Sequence, residues 1–241
     1  GTQIYRWVDA SRDEPATKDP SDKRNVIAQA WYPAQAPGAK RSIYMDGLDN
    51  LPPSIVVLPS FVMASYDRID THATLDADIS SEKLWPVVIF SPGFGAPRAF
   101  YTGLATEIAS RGYVVLTLDH PYESPVTQLA DGSIATRIDT SPLAPDARGA
   151  WMAEQLGIRA SDVQFALDRL VEGAGRLKDH VDLSRVVAAG HSFGGATAVA
   201  VAGREPRIAA TVNIDGTPYG ELPVLNRPFL VLQSDYSVTG H

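Results

Sequence analysis

The chain has 241 residues, of which 44% are hydrophobic, so it is long enough to bury the core of one α/β domain. Its net charge of −7 and isoelectric point near 5.2 argue against nucleic acid or an anionic membrane as a main partner. The absence of cysteine excludes disulfides, thiolate catalysis and cysteine-ligated metal sites, and no apolar run reaches the roughly 18 residues of a transmembrane helix.

The sequence begins at Gly1 rather than at Met, which predicts a processed or trimmed chain from which any signal peptide has been removed. A chain without cysteine folds equally well inside and outside a cell, so composition leaves the compartment open. Because a removed signal peptide is expected, a secreted or periplasmic location is favoured over an intracellular one.

The first 90 residues contain two predicted strands. β-Branched and aromatic residues predict a strand over 25–33, and Pro33 ends it. Residues 51–66 are apolar but interrupted by prolines, which predicts an irregular or short-helical segment. Residues 86–90 form a short continuous apolar run, as expected of a strand that is buried on both faces.

A helix and a further buried strand follow. Residues 98–112 repeat apolar residues at helical spacing, with Phe100, Leu104 and Ile108 on one face, and end on a glycine. Residues 113–119, YVVLTLD, are mostly apolar and predict the next buried strand.

The second half of the chain alternates between helices and strands. Residues 120–149 are rich in Pro, Asp and Ser and predict a long polar loop. The remaining predicted elements are a helix at 159–173, a strand at 185–190, a helix at 195–203, and strands at 208–215 and 228–235. Strands separated by helices pair in parallel through right-handed crossovers. Because no repeat or linker divides the chain, residues 1–241 are predicted to form a single, doubly wound and mostly parallel α/β domain.

The stretch RVVAAGHSFGGATAVAVAG, residues 185–203, places four glycines around one serine. The spacing Gly190-x-Ser192-x-Gly194 fits a strand, a sharp turn and a helix with the serine at the apex. An apolar strand before the motif and small residues after it are the context that the motif needs, since a tight turn forbids bulk near the serine. Ser192 is therefore the candidate nucleophile; a glycine-rich turn whose serine only caps a helix is the structural alternative.

A nucleophilic serine also needs a base, an acid that orients the base, and two N–H groups that stabilise an oxyanion. The turn itself offers the backbone N–H of Phe193. The loop FSPGFGAPR, residues 90–98, follows a predicted strand, and its glycines allow a close approach to substrate, so the Phe94 N–H is the candidate second donor. A plain Gly/Pro turn is the alternative. The loop lacks the glycine pattern of a dinucleotide or phosphate site.

Several segments together resemble the platelet-activating factor acetylhydrolase family in its secreted-type form, with microbial members the nearer match. They are the stretch at 86–124, the RASDVQFALDRL helix, AAGHSFGGATA, NIDGTPYG and the early AQAWYPAQ. The resemblance runs in order over nearly the whole chain. It implies an α/β-hydrolase fold, a metal-free Ser-His-Asp esterase, and a preference for short or oxidised acyl chains.

The resemblance also implies roles for individual residues. It makes Ser192 the nucleophile and Asp215 the acid, with Phe94 and Phe193 as backbone donors. At position 92 this chain has proline where many members have histidine. The resemblance therefore does not predict which side chains line the pocket near Pro92.

Two aspartates compete for the role of the acid. Asp215 ends the predicted strand after the nucleophile helix and is followed by a glycine. Asp235 ends the next predicted strand, where most α/β-hydrolases, including cutinase-like polyester hydrolases, have their acid. The resemblance favours Asp215, and Asp235 stays open as the alternative. For either residue, a strand-end carboxylate that caps a loop is the structural alternative.

The base should follow the acid, because this fold has its triad in the chain order Ser, acid, His. Four histidines come before both aspartates: His72, His120, His180 and His191. Of these, His191 is expected to pack away from the serine and His120 to line the pocket. Only His241, the last residue, comes late enough to be the base. The few residues before it cannot supply the usual preceding helix and strand, so the C-terminal helix and last strand are predicted to be incomplete.

These features predict a serine esterase that cleaves a small-molecule or lipid ester through an acyl-enzyme, without a cofactor. No H-E-x-x-H motif, cysteine ligand or close histidine pair is present to hold a catalytic metal. Two alternatives stay open. One is a cutinase-like polyester hydrolase, and the other is a non-catalytic hydrolase-fold protein, which the unusual C-terminus suggests.

Overall fold

Nine strands form the central sheet of the computed structural model, which describes residues 1–48, 65–140, 144–217, 219–220 and 223–235. With a separate two-stranded hairpin, the described residues form eleven strands: β1 (Thr2–Asp13), β2 (Lys23–Trp31), β3 (Lys40–Arg41), β4 (Thr74–Leu75), β5 (Trp85–Ser91), β6 (Val114–Asp119), β7 (Thr127–Gln128), β8 (Ile134–Ala135), β9 (Val181–His191), β10 (Ile208–Ile214) and β11 (Phe229–Leu232). Their order across the sheet is β11-β10-β9-β5-β6-β2-β1-β4-β3, while β7 and β8 form a separate hairpin.

Three α-helices accompany the strands in the described part of the chain. They are α1 (Thr102–Ser110), α2 (Pro145–Val171) and α3 (Phe193–Ala202). Short 3-10 turns occupy Tyr66–Arg68, Arg98–Tyr101 and Gly175–Leu177. None of the helices seen in these residues combines the length and apolar character needed to span a bilayer.

The order of the parallel strands reverses beside β5. Strands β6, β5, β9, β10 and β11 pair in parallel, whereas β2 and β1 continue the sheet in antiparallel pairs. The chain leaves β5 through α1 to form β6 on one side, and returns later to form β9 on the other. In doubly wound sheets, ligands bind beyond the carboxyl ends of the strands at such a reversal. The carboxyl ends of β5 and β9 are therefore the expected place for a site.

Helices cover both faces of the central strands. Helices α2 and α3 pack on one face, against side chains such as Val87, Leu116 and Val186. Helix α1 packs on the opposite face, against Val88 and Phe90. Successive residues of β5 point to opposite faces and both faces are buried, which explains its continuous apolar sequence.

The structure confirms the doubly wound α/β fold and most of the predicted elements. The strands predicted at 25–33, 86–90, 113–119 and 208–215 are β2, β5, β6 and β10, each with boundaries within about two residues. The segment predicted over 51–66 lies, except for its last two residues, outside the described residues.

The polar loop predicted over 120–149 is confirmed only in part. The structure has the β7–β8 hairpin there, and α2 begins at Pro145 rather than near residue 159. Proline is favoured at a first helical position, but residues 147–150 of α2 are exposed and carry no apolar side chain larger than that of alanine. Periodicity therefore could not reveal this part of the helix.

Two further differences concern the edge of the sheet and the face of α1. Strand β1 was not predicted; it pairs with β2 along most of its length, and this pairing rather than a strong apolar pattern defines it. The predicted apolar face of this helix is confirmed only at Ile108, which packs against the cluster that contains Val88 and Phe90. Phe100 and Leu104 are 59% and 39% exposed, and the small Ala105 and Ala109 of α1 pack against the sheet instead.

A single residue, Ser192, connects β9 to α3, and the flanking glycines make this connection possible. A Cβ atom on Gly190 would overlap the backbone of Gly194, and a Cβ atom on Gly194 would overlap the carbonyl oxygen of Ser91. Backbone segments of β5, β9 and α3 thus approach more closely than any side chain allows. This contact fixes the first turn of α3 against the carboxyl end of β5.

We expect Gly194→Ala to lower the free energy of unfolding by at least about 2 kcal/mol, because the new methyl group has no space among backbone atoms. The matched control is Gly157→Ala in α2, where an added Cβ meets no atom within 4 Å. That variant should be more stable than the wild type by about 0.5–1 kcal/mol, since alanine favours a helix interior. Urea unfolding of both variants tests this, and equal stabilities would contradict it.

Candidate active site

Ser192 lies at the apex of the turn between β9 and α3 in a strained backbone conformation. Its φ and ψ are 52° and −124°, which non-glycine residues rarely adopt. Such strain costs roughly 1–3 kcal/mol and persists only where the surroundings impose it. Here the Ser192 N–H donates to the carbonyl of Ile214 (2.7 Å), and the Ser192 carbonyl accepts from the N–H groups of Gly195 and Ala196. The serine side chain is thereby held at the N-terminus of α3.

The loop after β5 lies directly beside Ser192. An ideal Cβ on Gly93 would be 3.4 Å from the Cβ of Ser192. The Gly93 N–H donates to the Tyr101 hydroxyl (3.0 Å), and the Gly93 carbonyl accepts from the Ala96 N–H (3.1 Å). The N–H of Phe94 has no acceptor within the described residues. It is therefore available to a ligand at this position.

Phe193, the residue after Ser192, begins α3. The first N–H groups of a helix have no intrahelical acceptor and lie at the positive end of the helix dipole. The Phe193 ring contacts the Phe94 ring edge-on, at 6.1 Å between centroids. The two N–H groups predicted as oxyanion donors thus belong to residues that contact each other beside Ser192.

Aromatic side chains form one wall next to this turn. The Phe94 ring contacts Trp151 of α2 at 5.6 Å, and the Phe193 ring contacts Tyr219 at 5.6 Å, both edge-on. Leu156 packs with Phe193 in the same apolar cluster. An apolar or aromatic group bound near Ser192 would meet this wall.

Asp215 comes directly after Ile214, whose carbonyl accepts the hydrogen bond from Ser192. Its carboxylate accepts from the N–H (3.1 Å) and the hydroxyl (2.9 Å) of Ser234, which follows β11. The Asn213 side chain bonds both the N–H and the carbonyl of Gly216, which fixes the loop around Asp215. Ser192 and Asp215 therefore share one edge of the sheet. Asp235, the alternative acid, follows Ser234 and is exposed.

A cavity of about 490 Å³ lies on the β11 side of Asp215. It is bordered by Val199, Asn213, Asp215, Gly216, Thr217, Pro223, Leu225, Phe229, Val231 and Gln233. Neither Ser192 nor the loop at 92–94 borders this cavity.

The candidate base, His241, lies outside the described residues, so the structure gives no distance from it to Ser192 or Asp215. His191 is hydrogen-bonded to the Tyr101 hydroxyl (2.9 Å), in agreement with a packing role. Burial raises the pKa of Tyr101, so the hydroxyl that accepts from Gly93 keeps its proton and can donate it to His191.

His120 does not line a pocket, as the sequence had suggested, but lies buried beneath the loop after β5. Its Nδ1 is 2.8 Å from the Asp162 carboxylate and its Nε2 is 3.3 Å from the Ser91 hydroxyl. Burial lowers the pKa of His120, with a smaller contribution from the positive charge of Arg159. The neutral ring therefore donates from Nδ1 to Asp162 and accepts at Nε2 from Ser91.

Asp162 is ionised although it is buried. Burial alone would raise its pKa, but the charge of Arg24 and the hydrogen bonds from His120 and Arg24 outweigh this effect and hold the pKa far below its ordinary value. The hydrogen bonds from Ser91 to His120 and from His120 to Asp162 have the same order as those of a Ser-His-Asp catalytic triad. Since each of these residues is at most 3% exposed, they support the loop from below and are not accessible to a substrate.

No three His, Cys, Asp or Glu side chains within the described ranges are grouped closely enough to hold a metal ion. The structure also reveals contacts that sequence reasoning missed, namely those of Tyr101, Glu123, Trp151 and Arg159 around the loop and turn. Three of them lie in segments that carry the family resemblance, but no local pattern singles out any of the four. Their importance depends on which loops the fold brings together.

The structure as a whole resembles a ferulic acid esterase from Streptomyces cinnamoneus. The TM-score is 0.78 at 36% sequence identity, and the match covers 100% of this chain and 66% of that one. With the strand order given above, this likeness confirms the α/β-hydrolase fold that the sequence resemblance implied.

Two sequence relatives are also ester hydrolases by name. A probable 1-alkyl-2-acetylglycerophosphocholine esterase of Arthroderma benhamiae is 30% identical over 136 residues, which are 56% of this chain and 32% of that protein. The platelet-activating factor acetylhydrolase of Cavia porcellus is 24% identical over 248 residues, which cover 90% of this chain and 54% of that protein. The chain thus spans between about a third and two thirds of the length of the proteins it matches.

The family described as platelet-activating factor acetylhydrolase, isoform II, matches this sequence over residues 20–172 and 162–234. These ranges include the loop after β5, the Ser192 turn and Asp215. The chain therefore belongs to the platelet-activating factor acetylhydrolase isoform II family.

Proposed function

We propose that this protein is a serine esterase that hydrolyses short-chain or oxidised acyl esters through an acyl-enzyme. The observation that carries the proposal is the strained turn at Ser192, where a hydroxyl lies at a helix N-terminus beside Gly93, the residue before Phe94. Backbone strain of this kind clusters at active sites. The ester hydrolases among its relatives support the same reaction class.

In the proposed mechanism, the Ser192 hydroxyl attacks the ester carbonyl while His241 accepts its proton. Asp215 orients the histidine and stabilises its positive charge. The N–H groups of Phe94 and Phe193 donate to the carbonyl oxygen as it becomes an oxyanion. His241 then protonates the leaving alcohol, and a water molecule, activated by the same histidine, hydrolyses the acyl-enzyme.

The surroundings of Ser192 support a substrate with a compact acyl group. The rings of Phe94, Trp151, Phe193 and Tyr219 form an apolar wall beside the serine. This wall suits either a short aliphatic acyl chain or the ring of an aromatic acid. The names of two relatives point to these same groups, an acetyl ester and a ferulic acid ester.

We expect Ser192→Ala to lower hydrolysis of p-nitrophenyl acetate by about 10⁶-fold, because no other group replaces the nucleophile. A fluorophosphonate should label the wild type, and mass spectrometry should place the adduct on Ser192. Ser110→Ala, at the exposed end of α1, is the matched control and should keep full activity. A wild-type protein that neither cleaves esters nor reacts with the phosphonate would instead be a non-catalytic binding protein.

Activity should not change after treatment with EDTA. The proposed mechanism draws its charge stabilisation from backbone N–H groups and a histidine, and no step uses a metal ion. The measurement is the initial rate before and after dialysis against the chelator. A loss of activity that zinc restores would overturn this part of the proposal.

Asp215→Asn should reduce kcat/KM by about 10⁴-fold, because an amide favours the wrong histidine tautomer. Asp235→Asn should cost less than about tenfold. The motive is that Asp215 adjoins the carbonyl that holds the Ser192 backbone. A polyester hydrolase of the cutinase type predicts the reverse order, because its acid follows the later strand. Thermal unfolding of both variants serves as the control for folding.

A further inference from the structure

A buried arginine of α2 contacts both segments that flank Ser192. Arg159 is 1% exposed and donates from Nη1 to the carbonyl oxygen of Pro92 (2.7 Å) in the loop after β5. Its guanidinium carbon lies 4.6 Å from the ring centroid of Phe193. On its remaining side, Nε and Nη2 bind the Glu123 carboxylate at 2.6–3.0 Å.

The contact with Pro92 determines the direction of the peptide groups that follow. In a planar trans peptide the carbonyl and the N–H point in opposite directions. The Pro92–Gly93 peptide is held at both ends, since its carbonyl accepts from Arg159 and its N–H donates to Tyr101. In the next peptide the Gly93 carbonyl accepts from Ala96. The N–H of Phe94 therefore has to point away from Ala96, in a direction that these three bonds set.

The same arginine contacts the second donor segment. Phe193 is 3% exposed, and its ring lies under the guanidinium of Arg159. A cation over an aromatic ring is attracted by the negative face of the ring, more strongly when both are removed from water. Since the backbone of Phe193 supplies the other N–H, Arg159 fixes the distance between the two donor segments.

We propose that Arg159 is a positioning residue that holds the N–H groups of Phe94 and Phe193 in place for the oxyanion. The inference rests on the proposed esterase function, which assigns those N–H groups their role. Arg159 does not touch the substrate. It acts through the carbonyl of Pro92 and the ring of Phe193, and Glu123 keeps its guanidinium in the orientation that serves both contacts.

Lysine could not replace arginine here. The planar guanidinium presents separate N–H groups to Glu123 and to Pro92 while its face covers Phe193. An ammonium group is a compact charge that cannot span both acceptors and also stack on the ring. The arrangement therefore uses the geometry of arginine and not only its charge.

The test compares Arg159→Lys with the double variant Arg159→Met, Glu123→Leu. The double variant removes both partners and so leaves no buried unpaired carboxylate. Loss of one oxyanion donor lowers kcat by about 10²–10³-fold, and we expect the double variant to fall in this range while KM changes by less than about threefold. Arg159→Lys should fall by roughly tenfold. All rates are expressed per site titrated with fluorophosphonate, so misfolded protein does not count.

A second measurement separates positioning from general stability. An alkyl trifluoromethyl ketone forms a tetrahedral adduct whose oxygen occupies the oxyanion site, so its inhibition constant should rise in proportion to the loss of kcat/KM. Arg207→Met is the matched control. Arg207 pairs with the buried Glu205 and with Asp168 near the start of β10, and contacts neither Pro92 nor Phe193. It should lower the unfolding temperature without changing kcat per site by more than about twofold.

The outcomes separate this inference from the esterase proposal. If the wild type is not labelled on Ser192, the esterase proposal fails and this inference fails with it. If Ser192 is labelled and both Arg159 variants keep the wild-type kcat per site, the esterase proposal stands and only the role of Arg159 is overturned. The role of Arg159 is also overturned if the ketone binds the variants as tightly as the wild type, or if Arg207→Met loses as much kcat as they do.

Discussion

The arrangement of this protein depends on the close backbone contact between the end of β5 and the start of α3. Gly194 lies against the carbonyl of Ser91, and Gly190 lies against Gly194 itself, so side chains are absent from the point where three elements meet. This contact allows one residue, Ser192, to connect β9 to α3. It also explains the strained conformation of that residue, since a relaxed backbone would separate the helix from the sheet.

Buried arginines hold the loop that faces the Ser192 turn. Arg159 binds the carbonyl of Pro92 near the start of the loop, and Arg98 pairs with Asp119 of β6 through its side chain and its backbone N–H at the end of the loop. Buried ion pairs add little to stability, because desolvation offsets much of their attraction. Their effect here is geometric. They fix a glycine-containing loop that has few side chains of its own to pack.

Ser192 and Asp215 are connected through the backbone of β10. The Ser192 N–H bonds the carbonyl of Ile214, and Asp215 is the next residue, so movement of one displaces the other. Ser234 then ties the Asp215 carboxylate to the end of β11. The acid proposed for catalysis is thus supported by two neighbouring strands, which is how a doubly wound sheet brings distant parts of the sequence to one edge.

The sequence by itself determined the doubly wound fold, the central strands and the position of Ser192, because continuous apolar runs and the Gly-x-Ser-x-Gly spacing are local patterns. It did not reveal β1 or the exposed start of α2, whose structure depends on pairing or lacks an apolar face. Only the tertiary structure decided which partners surround the turn. Arg159, Glu123 and Pro92 are far apart in sequence, and their contacts exist because a helix and two loops meet at one edge of the sheet.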